Sequence, residues 1–254
     1  YEIRLSLVGS EMCIRDRINT TLANQAKPGQ FISVYTQDKS ALLPRPISIC
    51  ETDVANNRLR IVYRVAGKGT AEFSRYKTGH RVDILGTLGN GFPLEKAEGK
   101  RLFLMGGGIG IPPMLSVAKA IKNVASVDVI VGYRDKELFL VEDLEKYASV
   151  HVATEDGSVG TKGTVMNVIE EKKLEADIIF ACGPMPMLRV IKKYAAENKI
   201  AAYISLEERM ACGVGVCLGC VVKTTKTDHH SHVNNARICT DGPVYNAEDV
   251  DIVD

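Results

Sequence analysis

Four cysteines set the chemistry. Met210 to Cys220 reads MACGVGVCLGC, with the spacing Cys212-x4-Cys217-x2-Cys220, and Cys239 follows after eighteen intervening residues. This is the plant-type ligand pattern of a [2Fe–2S] cluster. Each iron needs four sulfur ligands and two are bridging sulfides, so the protein must supply four thiolates. Three come from one tight loop, and the fourth from an element that folds back. Gly213, Gly215 and Gly219 let loop amides approach the cluster and permit positive φ. A zinc site usually shows paired C-x2-C elements, whereas Cys239 has no near cysteine partner. A Rieske centre would replace two cysteines by histidines, and all four cysteines are present. His229, His230 and His232 lie in the polar run TDHHSHVNN, which reads as an exposed hairpin tip rather than a metal tract.

The elements ahead of this loop must position its redox partners. Phe31 to Tyr35, Arg58 to Val65 and Val82 to Leu85 read as short strands separated by turns, which implies a small antiparallel β-barrel. Two pieces of it suit a flavin diphosphate. Arg45-Pro46-Ile47-Ser48 offers a guanidinium and a hydroxyl. Gly67-Lys68-Gly69-Thr70 offers free amides ahead of a short helix at 71–76. Either alone is more often just a turn; their order ahead of the next motif gives them weight.

Arg101 to Met105 is an apolar strand running into Gly106-Gly107-Gly108-Ile109-Gly110-Ile111-Pro112-Pro113, and a helix is expected over 114–122. Strand, glycine turn and helix open a dinucleotide-binding βαβ unit, with Gly106, Gly108 and Gly110 as candidates to lie against a nicotinamide cofactor's diphosphate. Strands and helices then alternate to about residue 200, which predicts a parallel sheet with its ligand crevice at the carboxyl ends of the strands. The loops at 106–110, 154–157 and 182–185 leave such ends. Cys182 is therefore either a neighbour of the nicotinamide or a small buried residue capping a strand. Arg134 favours a 2′-phosphate and Asp135 a free ribose, which leaves NAD and NADP both open.

Composition narrows the class. The 254 residues are 45% apolar and 25% charged, as for a soluble globular protein of two small domains and an appendage. The net charge of +1 argues against a nucleic-acid binder. No apolar run reaches the ~20 residues of a membrane span, and no signal peptide is visible. Seven cysteines in such a chain indicate metal ligands and free thiols in a reducing, cytoplasmic compartment rather than a disulfide framework. The expected division is a flavin barrel over 1–97, a nucleotide domain over 98–200 and a β-hairpin iron–sulfur domain over 201–254. The first seventeen residues, YEIRLSLVGSEMCIRDR, neither alternate cleanly nor carry a helix stripe. SLVGSEMCIRDR reads like a translated sequencing adapter joined to a truncated gene; the plainer reading is a divergent first strand. On the adapter reading a barrel strand is missing or replaced, leaving an exposed edge. Cys13 is given no role.

The flavin and nucleotide modules resemble the ferredoxin–NADP reductase superfamily. From about Lys27 to Tyr245, the order RPIS, GKGT, GGGIGIPP, CGPMPM, ERMACGVGVCLGC and RICTDGPV resembles the electron-transfer subunits of dihydroorotate dehydrogenase B. The resemblance implies FAD contacts at Arg45, Pro46, Ile47 and Ser48, at Val62, Tyr63 and Arg64, and at Gly69 and Thr70. It implies cluster ligation by Cys212, Cys217, Cys220 and Cys239, and NAD rather than NADP. It also implies a partner, an FMN-containing catalytic subunit that oxidises dihydroorotate in pyrimidine synthesis, in a two-plus-two heterotetramer. No residue of this chain is assigned as an acid or base for dihydroorotate. A subunit of a NAD(P)H-dependent ferredoxin or sulfide oxidoreductase is the alternative, against which the cluster-loop spacing speaks. A non-enzymatic redox sensor is a further one, against which the complete nucleotide architecture speaks.

Overall fold

The computed structural model describes residues 2–5, 14–227 and 232–252. Alternating apolar residues build a six-stranded antiparallel sheet. In spatial order its strands are Glu2–Leu5, Ile14–Asn19, Arg58–Tyr63, Arg45–Asp53, Phe31–Val34 and Ile84–Leu88. Ile18, Ile32, Ile49 and Leu59 are fully buried in one core, which Phe73 of the short helix Lys68–Phe73 closes. Register shifts at Phe31/Ser33 and Ile49/Glu51 bend the sheet around that core.

The start of the chain carries paired strands. Ile14–Asn19 pairs with Arg58–Tyr63 at six successive positions, and Glu2–Leu5 pairs with its other edge. A strand over Ile14–Asn19 thus occupies this end of the sheet, beginning inside the unusual first seventeen residues. Ile14, Asp16 and Ile18 alternate inward, and the partner strand supplies the apolar neighbours that a lone sequence window does not show. Cys13 lies outside the described residues.

The second sheet has seven strands. Their order is Thr161–Lys162, Ser149–Thr154, Ser126–Tyr133, Arg101–Gly107, Ile178–Cys182, Ala201–Ser205 and Val244–Asn246. The first six are parallel and the last runs antiparallel. Buried runs such as Leu102 to Met105 and Ile178 to Cys182 reflect a sheet covered on both faces. Helix Ile111–Ile121 carries Pro112 and Pro113 in its first turn, where a missing amide costs little. Strand order reverses between Arg101–Gly107 and Ile178–Cys182, which creates a switch-point crevice. The last two strands come from the cysteine-bearing segment. Among the described residues, Val221–Lys223 and Asn235–Arg237 stand apart as a two-stranded hairpin.

The modules are packed together. Phe31 shares a core with Cys220, Ile238 and Cys239. The Asn90 amide group donates to the carbonyls of Thr240 and Asp241 at 3.0 and 3.2 Å. Among the described residues, no helix is long and apolar enough to cross a membrane.

Candidate electron-transfer site

The cluster loop is built from left-handed turns. Gly213 and Gly215 have φ of +71° and +83°, and Leu218 adopts +57° without being glycine. These turns aim amides at sulfur. The N–H groups of Val214, Gly219 and Cys239 donate to Cys212 Sγ, Cys217 Sγ and Cys220 Sγ, each at 3.4 Å. The Val214 and Cys217 amides, with the Cys217 thiol beside it, hold the Cys212 thiol down to about 6. Burial, then the adjacent Cys220 sulfur, pushes Cys239 up to about 11. The thiols thus form two pairs, Cys212 with Cys217 and Cys220 with Cys239. Among the described residues, no three His, Cys, Asp or Glu side chains converge as a site for one ion. Two pairs are what a two-iron cluster uses, since each iron takes two thiolates and shares the sulfides. The donor set and its amides fit a [2Fe–2S] cluster. His232 is exposed, and His229 and His230 lie outside the described residues.

The cluster loop rests on the flavin sheet. A Cβ added at Gly213 would meet Ser33 Oγ at 3.3 Å and Leu88 Cδ1 at 3.4 Å. On the same sheet, Arg45 lies across Gly69, where a Cβ would come within 2.8 Å of its Cζ. Only glycine leaves room for the guanidinium there. The Thr70 hydroxyl is spent on its own loop: it accepts from the amides of Ala66 and Gly67 and donates to the Gly67 carbonyl. Ser48 is half-buried and Pro46 and Arg64 are exposed, whereas the side chains of Ile47, Val62 and Tyr63 are buried in apolar clusters. The Tyr63 hydroxyl points away into the sheet core, donating to Asp16 Oδ2 at 2.8 Å. Of the expected flavin contacts, Arg45, Ser48 and Arg64 keep polar side chains open beside the Gly69–Thr70 turn, a donor set that fits a diphosphate.

Beside Arg64 opens a crevice of about 420 Å³, at the carboxyl ends of the parallel strands. Gly107, Gly108 and Ile109 line it, with Tyr133, Pro184 and Met187. Of the three glycines expected there, Gly108 reaches the wall. Gly106 and Gly110 pack inside: a Cβ at Gly106 would meet Ile111 Cα at 3.0 Å, and one at Gly110 would strike the Cys182 carbonyl. Cys182 is buried and absent from the crevice wall, and burial holds its thiol protonated. Arg134 and Asp135 do line the crevice, as does Glu155 of the 154–157 loop expected at its rim. Its signal was the strand end at Thr154, but neighbouring strands had to be in register before Glu155 could be placed.

A bent antiparallel flavin sheet, a switch-point nucleotide crevice and a four-cysteine loop define an electron-transfer oxidoreductase working with a flavin, a pyridine nucleotide and an iron–sulfur cluster. Comparison with known proteins gives the family. Residues 207–251 match the iron–sulfur cluster binding domain of dihydroorotate dehydrogenase B. The chain is 40% identical over 228 residues to the electron transfer subunit of dihydroorotate dehydrogenase B (NAD(+)) from Bacillus velezensis, covering 88% of this chain and 87% of that one. It is 43% identical to the Bacillus caldolyticus subunit over 88% of this chain and 86% of that one. A solved structure of an NADH-dependent reduced ferredoxin-NADP oxidoreductase superposes with a TM-score of 0.87 at 29% identity, over 98% of this chain and 89% of that one. The chain belongs to the family of electron-transfer subunits of dihydroorotate dehydrogenase B.

Proposed function

We propose that this chain passes electrons from an FMN-containing dihydroorotate-oxidising subunit to NAD+ in pyrimidine biosynthesis, in a reducing cytoplasm. One observation carries the reading: the flavin sheet touches both other sites. Its Ser33 and Leu88 meet the cluster loop, and Arg64, just beyond one of its strands, lines the nucleotide crevice. FAD, when bound there, converts between the hydride of NADH and the single electrons of the cluster. Arg45 and Ser48 hold its diphosphate side, and the Gly107–Ile109 turn admits the nicotinamide nucleotide. Cys212, Cys217, Cys220 and Cys239 would hold the [2Fe–2S] cluster, with Cys217 the exposed one of the four. The division into residues 1–97, 98–200 and 201–254 follows the three cofactors, and a two-plus-two heterotetramer follows the family's pattern.

Activity with separated components tests this. The loaded chain should oxidise NADH with ferricyanide as acceptor and leave dihydroorotate untouched. Adding the catalytic subunit should couple dihydroorotate oxidation to NAD+ reduction. Turnover of dihydroorotate by the chain alone, or failure to couple, would count against the reading.

A further inference from the structure

Tyr245, on the antiparallel last strand Val244–Asn246, packs against the core that holds Cys220, Ile238 and Cys239. Its ring lies on the Gly242 backbone, where a Cβ would meet the hydroxyl oxygen at 2.7 Å. That hydroxyl is sealed from solvent and has no hydrogen-bond partner among the described residues. Buried hydroxyls are nearly always paired, so this one calls for an acceptor. The neighbouring protein acceptors are taken. Asp241 Oδ2 accepts from the Arg237 backbone N–H and Nε at 2.8 and 3.2 Å, and Oδ1 from Arg237 Nη2 and Thr240 Oγ1, each at 3.2 Å. The Gly242 carbonyl accepts from the Asn90 amide at 2.6 Å, and the Pro243 carbonyl from the Leu206 amide at 2.9 Å. The sulfurs of Cys220 and Cys239 remain. Burial first, then the charges of Asp241, Cys220 and Cys239, raise the pKa of the phenol, which marks both sulfurs as its neighbours and keeps it a donor.

We propose that the Tyr245 hydroxyl donates to a thiolate of the Cys220–Cys239 pair when the cluster is bound, and so raises the cluster's reduction potential. Reduction adds negative charge to the cluster sulfurs, so a donor aimed at one of them stabilises the reduced form more than the oxidised form. Tyr245 itself holds no iron. The inference rests on the assignment of Cys220 and Cys239 as cluster ligands.

The test uses the full-length chain with cluster and flavin loaded, comparing wild type with Tyr245→Phe. Tyr203→Phe serves as a hydroxyl control, because Tyr203 packs against Phe180 and Lys96. Potentiometric titration followed by electron paramagnetic resonance gives the ratio of reduced to oxidised cluster at the wild-type midpoint. Tyr245→Phe should keep its iron and lower that ratio about five-fold, the worth of one net hydrogen bond. Tyr203→Phe should leave the ratio unchanged. In resonance Raman spectra, transfer to D2O should shift the iron–sulfur stretching bands less in Tyr245→Phe than in wild type. Biosynthetic replacement of tyrosine by 3-fluorotyrosine makes the phenol a stronger donor and should raise the ratio; it decides the matter if Tyr245→Phe assembles no cluster. An unchanged or raised ratio in cluster-loaded Tyr245→Phe, or a 3-fluorotyrosine chain with a lowered or unchanged ratio, would overturn this inference alone. A wild-type chain that assembled no cluster after reconstitution would overturn the ligand assignment and the inference together.

Discussion

The Arg60 guanidinium, on the flavin sheet, donates to the Asp143 carboxylate of the nucleotide domain at 2.8 Å. It also reaches Glu51 at 3.3 Å, and Glu51 in turn pairs with Lys119 of helix Ile111–Ile121 at 2.8 Å. Burial works to raise the Asp143 carboxyl, but hydrogen bonds from Lys146 and Arg60 hold it below its ordinary value. This pair ties the flavin sheet to the domain that carries the crevice. Asp143→Ala should cost about 2 kcal/mol, the scale of a hydrogen bond to a charged group. It should also raise KM for NADH as the crevice loosens. Thermal unfolding and steady-state kinetics check both; an unchanged midpoint would mean that the pair contributes nothing to docking.

Gly69 and Gly67 provide a matched test of the flavin site. A Cβ at Gly69 displaces the Arg45 guanidinium, whereas one at Gly67 meets nothing within 4 Å. Gly69→Ala should therefore lower the flavin bound per chain, read from the ratio of flavin to protein absorbance. Gly67→Ala should retain it.

The first complete strand carries an internal tension. Asp16 is buried with one oxygen unpartnered, and Arg15 Nε on the same strand is also buried and unpartnered. Burial pushes the Asp16 carboxyl up to about 6, the Tyr63 hydroxyl offsetting only part. The folded state then binds the proton more tightly than the unfolded chain. Stability from this group is full below about pH 4 and is lost as pH rises through about 6, about 3 kcal/mol in all. Asp16→Asn should remove that dependence. Its stability relative to wild type should improve by about 1 kcal/mol between pH 5 and 7.5, measured by denaturant unfolding. A constant difference would show that Asp16 titrates normally.

Much of the site was legible from local spacing. The cysteine pattern and its glycines specify a loop through nearest-neighbour geometry, so Cys212, Cys217 and Cys220 could be read without any tertiary knowledge. The glycine turn after Met105 was legible for the same reason. What escaped depends on pairing between distant strands. The 154–157 loop was expected at the crevice, but that Glu155 is its wall residue depends on Ser149–Thr154 lying beside Ser126–Tyr133. The antiparallel insertion of Val244–Asn246 next to Ala201–Ser205 has no local signal. Nor does the inward turn of Tyr63 toward Asp16, since that partner lies 47 residues away in sequence.

Cysteine substitution separates ligands from bystanders. Cys217→Ser should lower iron from about two atoms per chain to near zero and abolish the cluster's electron paramagnetic resonance signal. Cys50→Ser should leave both intact, because Cys50 is buried between the flavin sheet and the nucleotide domain, away from the loop. Iron retained in Cys217→Ser would mean that the ligand set is drawn from other residues.

In this family one chain connects NAD to a [2Fe–2S] cluster through FAD. Anaerobic titration of the purified protein with NADH, followed by visible absorption, tests it most directly. Flavin and iron–sulfur bands should both be present and should bleach together. Flavin that bleached while the cluster bands stayed unchanged, or a protein that assembled no cluster after reconstitution, would contradict it.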